Sequence, residues 1–192
     1  MEAFERSHQE KKMSKREQGF SLIELLIVVA IILIIAAIAI PNLLRSRMAA
    51  NEASAVGSIR TINTAEVTYD STYGDDYANA LPLLGGAAGV AATCNNAEIV
   101  DPVLSANNPS IKSGYNFQLG PGTVATPVAP AGCANPGFVD GYTIVAWPVN
   151  VGTTGQRSFC SDASGVIQFD PSGVQPAPAP PICAAGMSAL SN

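Results

Sequence analysis

One histidine, His8, and one tryptophan, Trp147, are all that 192 residues contain of either type. With no histidine after position 8, neither a Ser-His-Asp nor a Cys-His arrangement can be assembled from the rest of the chain. No glycine run stands at a strand–helix junction in the pattern that cradles phosphate. Basic residues are scarce: from Phe20 onward there are five, Arg45, Arg47, Arg60, Lys112 and Arg157, against eleven acidic ones. That balance is a poor match for nucleic acid, so no nucleic-acid partner is expected. The four cysteines form no CxxC pair. Asp70, Asp75 and Asp76 lack the spacing of a recognised calcium loop and read as solvated loop carboxylates. The expectation is a chain that is not an enzyme and holds no metal and no cofactor.

What the chain has instead is a long apolar run. Phe20 to Ile40, FSLIELLIVVAIILIIAAIAI, carries one ionisable side chain, Glu24. As a helix those residues span about 31 Å, close to the hydrocarbon thickness of a bilayer. Lys11, Lys12, Lys15 and Arg16 precede the run. Their position argues for a cytoplasmic amino terminus, with the acidic remainder on the other side. A conventional secretory signal would end in small residues at a cleavage site; none follows here, so the run is expected to be retained. A carboxylate in hydrocarbon costs about 2.5–3.5 kcal/mol, so Glu24 requires a partner. A signal-anchor with a stray glutamate is the plain alternative.

The stretch KREQGFSLIELLIVVAIILIIAAIAIPNL resembles the amino-terminal signature of type IV pilins and their relatives, the class III signal. The likeness is specific over about residues 13–73 and weaker beyond. It implies a leader, residues 1–19, that a dedicated inner-membrane peptidase removes between Gly19 and Phe20, the same enzyme N-methylating Phe20. Glu24 stands at the family's near-invariable glutamate and Pro41 at its helix-kinking proline. One departure is Leu33, where many members carry a helix-loosening glycine. Met13 offers an alternative start, giving a shorter leader.

Such resemblance implies a pilin fold and a homopolymer of identical subunits. It also implies two sets of partners, a prepilin peptidase/methyltransferase and an inner-membrane assembly machinery. The precursor would sit in the inner membrane with its head outside the cytoplasm, and the product would be an extracellular pilus. A pseudopilin of a type II secretion system and a minor pilin are alternatives within the family. A membrane-anchored binding domain that never polymerises is the alternative outside it. Physical reasoning gives Glu24 its own reading: cleavage creates a positive amine at Phe20, four residues away. An amine on a neighbouring subunit could pair with Glu24 and fix axial register.

From Asn42 to about Tyr73, Leu44, Met48, Ala55, Ile59, Ile62, Ala65 and Tyr69 recur at three- and four-residue spacing. Arg45, Arg47, Glu52, Arg60 and Glu66 are interleaved. The pattern predicts one helix from Leu22 to about Tyr73, kinked at Pro41, with Ile59, Ile62 and Tyr69 on its own domain. The division is then 20–41 for the membrane and assembly helix, 42–73 for the amphipathic half and 74–192 for a loop-rich β head. Short turns of helix are expected at Leu81–Leu84 and Ala97–Leu104. Strands are expected at Tyr115–Leu119, Tyr142–Val149, Arg157–Ser161 and Val166–Phe169. Trp147 is a core candidate, and Pro148 places the end of its strand at an edge or bulge. Asp162 and Asp170 read as turn residues. The fold class is α+β, the helix packed on an antiparallel sheet of three to four strands.

Cys94, Cys133, Cys160 and Cys183 all follow the apolar run. An even count on an exported, loop-rich domain reads as two disulfides, with three pairings possible. Cys160–Cys183 would tether the proline-rich tail to the sheet, and Cys94–Cys133 would join the two long loops.

Overall fold

The computed structural model describes residues 19–74, 77–86, 89–122, 133, 138–176, 183 and 186–190. Residues 1–18, with His8 and Met13, lie outside these, as do Asp75 and Asp76. The chain divides into two compact units, Met1–Pro41 and Asn42–Asn192.

One helix, α1 (Leu22–Tyr73), belongs to both units. It opens at Ser21, whose carbonyl accepts the Leu25 N–H at 3.2 Å. No glycine or proline interrupts it before Pro41. Helical structure continues through Pro41 although proline brings no N–H to the ladder. Gly57, a weak break on propensity, is also passed without interruption. The helix stops at Gly74, whose φ of 102° is one that side-chain-bearing residues avoid and whose N–H bonds Asp70 O at 3.0 Å.

In the first unit nearly every side chain of the apolar run is exposed. Phe20 is 78% and Leu22 79% accessible, and the large residues through Ile40 stay near or above half. Among the described residues this is the helix long and apolar enough to cross a membrane.

In the second unit the same helix turns one face inward. Glu52, Ala55, Ser58, Ile59, Ile62, Ala65, Glu66 and Tyr69 are buried. Leu44 stays exposed and Met48 is only half-buried, so the apolar face begins later than its periodicity implied. The partner surface is a six-stranded antiparallel sheet in the order β2-β3-β5-β6-β7-β8. Its strands are β2 (Ser110–Lys112), β3 (Tyr115–Pro121), β5 (Tyr142–Pro148), β6 (Ser158–Asp162), β7 (Ile167–Asp170) and β8 (Ser188–Ala189). Two two-residue strands, β1 (Tyr77–Ala78) and β4 (Phe138–Val139), pair separately, and a four-residue helix, α2 (Leu81–Leu84), follows β1. The α+β class holds, with two more strands in the main sheet than expected. The added strands are the short outer ones, β2 and β8.

Alternation along β5 divides its side chains between two layers. Ile144 and Ala146 enter the main core with Ile59, Ile62, Tyr69, Leu104, Tyr115, Phe117 and Phe159. Val145 joins Cys160 and Cys183 on the opposite face, where Trp147 and Met187 pack against them. Trp147 is therefore a half-buried residue of this second, smaller layer and not of the main core. Pro148 ends a strand that is central in the sheet, but that end has a neighbour on the β3 side alone. β6 pairs β5 only over Thr143–Ala146, so no neighbour on that side demands a donor from Pro148. The Ala97–Leu104 stretch forms turns and no α-helix. There Asp101 Oδ1 accepts the Val103 and Leu104 N–H groups at 3.1 and 3.3 Å.

Candidate functional site

Glu24 is positioned by the start of α1. With Ser21 as the cap, Glu24 falls three residues into the helix, and its Oε2 accepts the Ser21 N–H at 2.9 Å. This is the carboxylate half of a capping box, and it sets negative charge against the positive end of the helix dipole. The sequence reading placed a partner for Glu24 outside its own helix. The structure adds a local one, foreshadowed by the S-x-x-E spacing of Ser21 and Glu24. A carboxylate has about four acceptor sites, so this bond leaves capacity for a cation. Gly19 and Phe20 precede the helix; nothing lies within 4 Å of where a Gly19 side chain would begin. Along the helix surface Leu22, Leu25, Leu26, Val29, Ala30 and Leu33 line a shallow apolar groove.

In the second unit the cysteines pair as Cys94–Cys133 and Cys160–Cys183. The first joins the two long loops, and Tyr69 OH donates to Cys94 O from α1. The second brings Cys183 of the tail onto the outer face of β6.

Two carboxylates of α1 sit where the interleaved polar pattern had not placed them. Glu52 is buried. Its Oε1 accepts the backbone N–H groups of Gln156 and Arg157 at 2.9 and 3.2 Å, and its Oε2 meets the Arg157 guanidinium at 2.7 Å. The guanidinium also lies over the Phe159 and Phe169 rings, at 5.6 and 5.4 Å. Glu66 is fully buried: Oε2 accepts the Ala78 N–H at 2.9 Å, while Oε1 has no hydrogen-bond partner. Burial pushes its pKa well above the ordinary carboxylate value, and the nearby charge of Asp70 pushes the same way, against the lowering effect of the Ala78 bond. The positions were readable, since 52, 55, 59, 62, 66 and 69 share one helical face. The residue type masked the signal.

Asp162 and Asp170 are turn residues, as expected: their Oδ1 atoms accept the Ser164 and Ser172 N–H groups at 2.9 and 2.8 Å. Asp70 lies in the last turn of α1. Among the described residues no three of His, Cys, Asp and Glu converge as metal ligands.

The prokaryotic N-terminal methylation motif matches residues 14–40. The chain is 35% identical over 120 residues to the type IV major pilin protein PilA of Myxococcus xanthus, covering 57% of this chain and 54% of that protein. It is 60% identical over 38 residues to the type IV wide pilus major component PilA4 of Thermus thermophilus, covering 20% of this chain and 29% of that one. The chain carries a prokaryotic N-terminal methylation motif and is similar to type IV pilus proteins. The match spans about half the length of the first pilin relative and under a third of the second. No solved structure matches the chain significantly. Gly19, Phe20 and Glu24 all fall inside the methylation motif, and Pro41 follows it by one residue. The long apolar helix and the antiparallel sheet beneath its second half are consistent with the pilin fold.

Proposed function

We propose that the chain is the structural subunit of a type IV pilus, made as a membrane-anchored precursor and polymerised through its apolar helix. The observation that carries this reading is Glu24, one carboxylate at the head of an otherwise apolar span inside a matched methylation motif. Its proposed role is assembly. Cleavage between Gly19 and Phe20 frees an amine, which the same peptidase methylates. The amine of an adjoining subunit then meets the Glu24 carboxylate, which still has acceptor capacity beside the Ser21 N–H. Lipid and a bundle of identical helices are both apolar, so moving the helix between them has little hydrophobic drive either way. Register must come from a polar pair, and Phe20 amine with Glu24 supplies one. Pro41 ends the span and leads into the half of α1 that carries the head. The precursor occupies the inner membrane with its head outside the cytoplasm. An assembly machinery extracts it into a filament at the cell surface.

Mass spectrometry of the mature amino terminus, with electron microscopy of sheared surface material, tests the reading. The expected terminus is N-methylated Phe20, in filaments built from this chain. Glu24→Ala is expected to leave the precursor at its normal level and abolish filaments. An unprocessed chain in the membrane, or normal filaments from Glu24→Ala, would refute the assembly argument.

A further inference from the structure

Two exposed charges of the head, Arg60 and Glu98, stand near opposite edges of its sheet. Two of its cations are consumed inside the subunit: Arg157 by Glu52 and Lys112 by Asp101, at 2.7 and 2.9 Å. Arg60, like Arg45 and Arg47 nearer the start of this unit, is exposed on α1 and takes part in no ion pair among the described residues; of the three, Arg60 is the one on the sheet-bearing part of the helix. Its neighbours on α1, Thr61, Thr64, Thr68 and Thr72, turn their hydroxyls back onto helix carbonyls, so the surface there is polar but uncharged. Arg60 borders a groove of about 560 Å³ whose other walls are Gly165, Val166, Ile167 and Leu190. That groove lies at the β7–β8 edge, where Leu190 N–H bonds Ile167 O at 2.9 Å.

At the other edge stands Glu98, also exposed and outside any ion pair among the described residues. Its loop is fixed to β2, the opposite edge strand, by Asp101 and Lys112. Glu98 has φ of 55°, a left-handed conformation uncommon for a residue with a long side chain. Its side chain lies against Gly86, where an added Cβ would collide with Glu98 Cγ. The exposed carboxylate is thus presented from a stem packed on Gly86. Backbone held in a sparsely populated region is a mark of functional surface.

We propose that Glu98 of one subunit docks on Arg60 of the next, with the groove walls Val166 and Leu190 covering the apolar rim of the Glu98 loop. The occupant of the groove is a second copy of this chain. Complementary groups on opposite edges of one subunit make a head-to-tail contact. Contacts of that type propagate into an open filament when their rotation does not close a ring. The contact sets the lateral fit of the heads, and opposite charge across it selects the correct neighbour. The inference rests on the filament reading above and adds the residues through which heads recognise each other.

The test is a charge swap in the full chain expressed in its own cells, read as sheared filament per cell. Arg60→Glu and Glu98→Arg should each lower filament yield about tenfold, the scale of a misplaced interfacial charge, while the double swap should restore most of it. Whole-cell subunit level, with disulfides intact, is measured alongside. If a reversal lowers that level, the neutral variants Arg60→Gln and Glu98→Gln replace it, with a smaller drop of about threefold expected from each alone. Single variants that assemble like the wild type, or a folded double swap that restores nothing, overturn the contact. Absence of filaments from the wild-type chain would instead remove the pilus reading itself.

Discussion

Glu66 offers the sharpest test of the head's energetics. It is fully buried beneath Ala78, and one oxygen, Oε1, has no hydrogen-bond partner. Burial disfavours its negative charge, the Ala78 N–H bond offsets part of that, and the charge of Asp70 on the same helix adds to it. The folded state therefore holds the Glu66 proton to higher pH than the unfolded chain does. A raised carboxylate pKa makes stability fall as pH rises. The contribution is fully present below the unfolded value near 4.5, and declines until the folded pKa is passed. Between those limits one proton gives a slope approaching about 1.4 kcal/mol per pH unit. The assay is urea unfolding of the full chain in detergent, with disulfides intact, followed by the fluorescence of Trp147 from pH 4 to pH 8. Glu66→Gln keeps an acceptor for the Ala78 N–H and cannot ionise. It should remove most of the decline and match or exceed the wild type at pH 8. A wild-type head whose stability rises across this range, or a Gln variant with an unchanged pH slope, would refute the argument.

Glu52→Ala strands two backbone N–H groups and the Arg157 guanidinium, and should cost about 2–4 kcal/mol in the same unfolding assay, discounted because the arginine is partly solvated. Gly155→Ala should cost at least about 2 kcal/mol, because its new Cβ would collide with the Tyr115 hydroxyl that bonds Arg157 O. Replacing Cys160 and Cys183 together by alanine opens a loop with a sequence separation of 23, and should lower stability by about 3 kcal/mol. In that variant limited proteolysis should release the tail first.

What could be read in the sequence follows from how far each signal extends. The ends of α1 were legible because more than fifty residues carry one continuous helical pattern and Gly74 stops it. β3 was legible from alternation, β5 from a run of strand-forming residues, and β6 and β7 from the turn-forming residues Asp162–Gly165 between them. β2, β8, β1 and β4 were not, because two or three residues contain no period, and their strand character comes from the neighbour they pair with. Trp147 shows a different limit. Alternation assigns residues 143, 145 and 147 to one face, but both faces of β5 are covered, one by α1 and the other by the segment bearing Cys183 and Met187. Nothing in YTIVAWP distinguishes the thick layer from the thin one. Glu52 and Glu66 fail for a third reason. Their spacing lay on the buried face, but whether a carboxylate can be buried depends on Arg157 and Ala78, which are remote in sequence or beyond the end of the helix.

The distribution of polar groups gives the two units a common logic. Burial of apolar surface is non-directional, so the run from Phe20 to Ile40 can be covered by lipid or by other helices without preferring any axial position. The head meets the same difficulty in a different medium, since its surface is poor in charge and a polar, uncharged α1 face has no address of its own. In each unit a small number of charged groups is left over after internal needs are met. Glu24 retains acceptor capacity beyond its cap, and Arg45, Arg47, Arg60 and Glu98 are exposed and stay outside the internal pairs Glu52–Arg157 and Asp101–Lys112. A chain with only 13% charged residues can afford few decoys. With so few competing partners, a charge left outside the fold gains specificity, because a wrong register leaves it opposite an uncharged surface or a like charge. On the proposed contact, that scarcity of charge is what would let single residues specify how one copy meets the next.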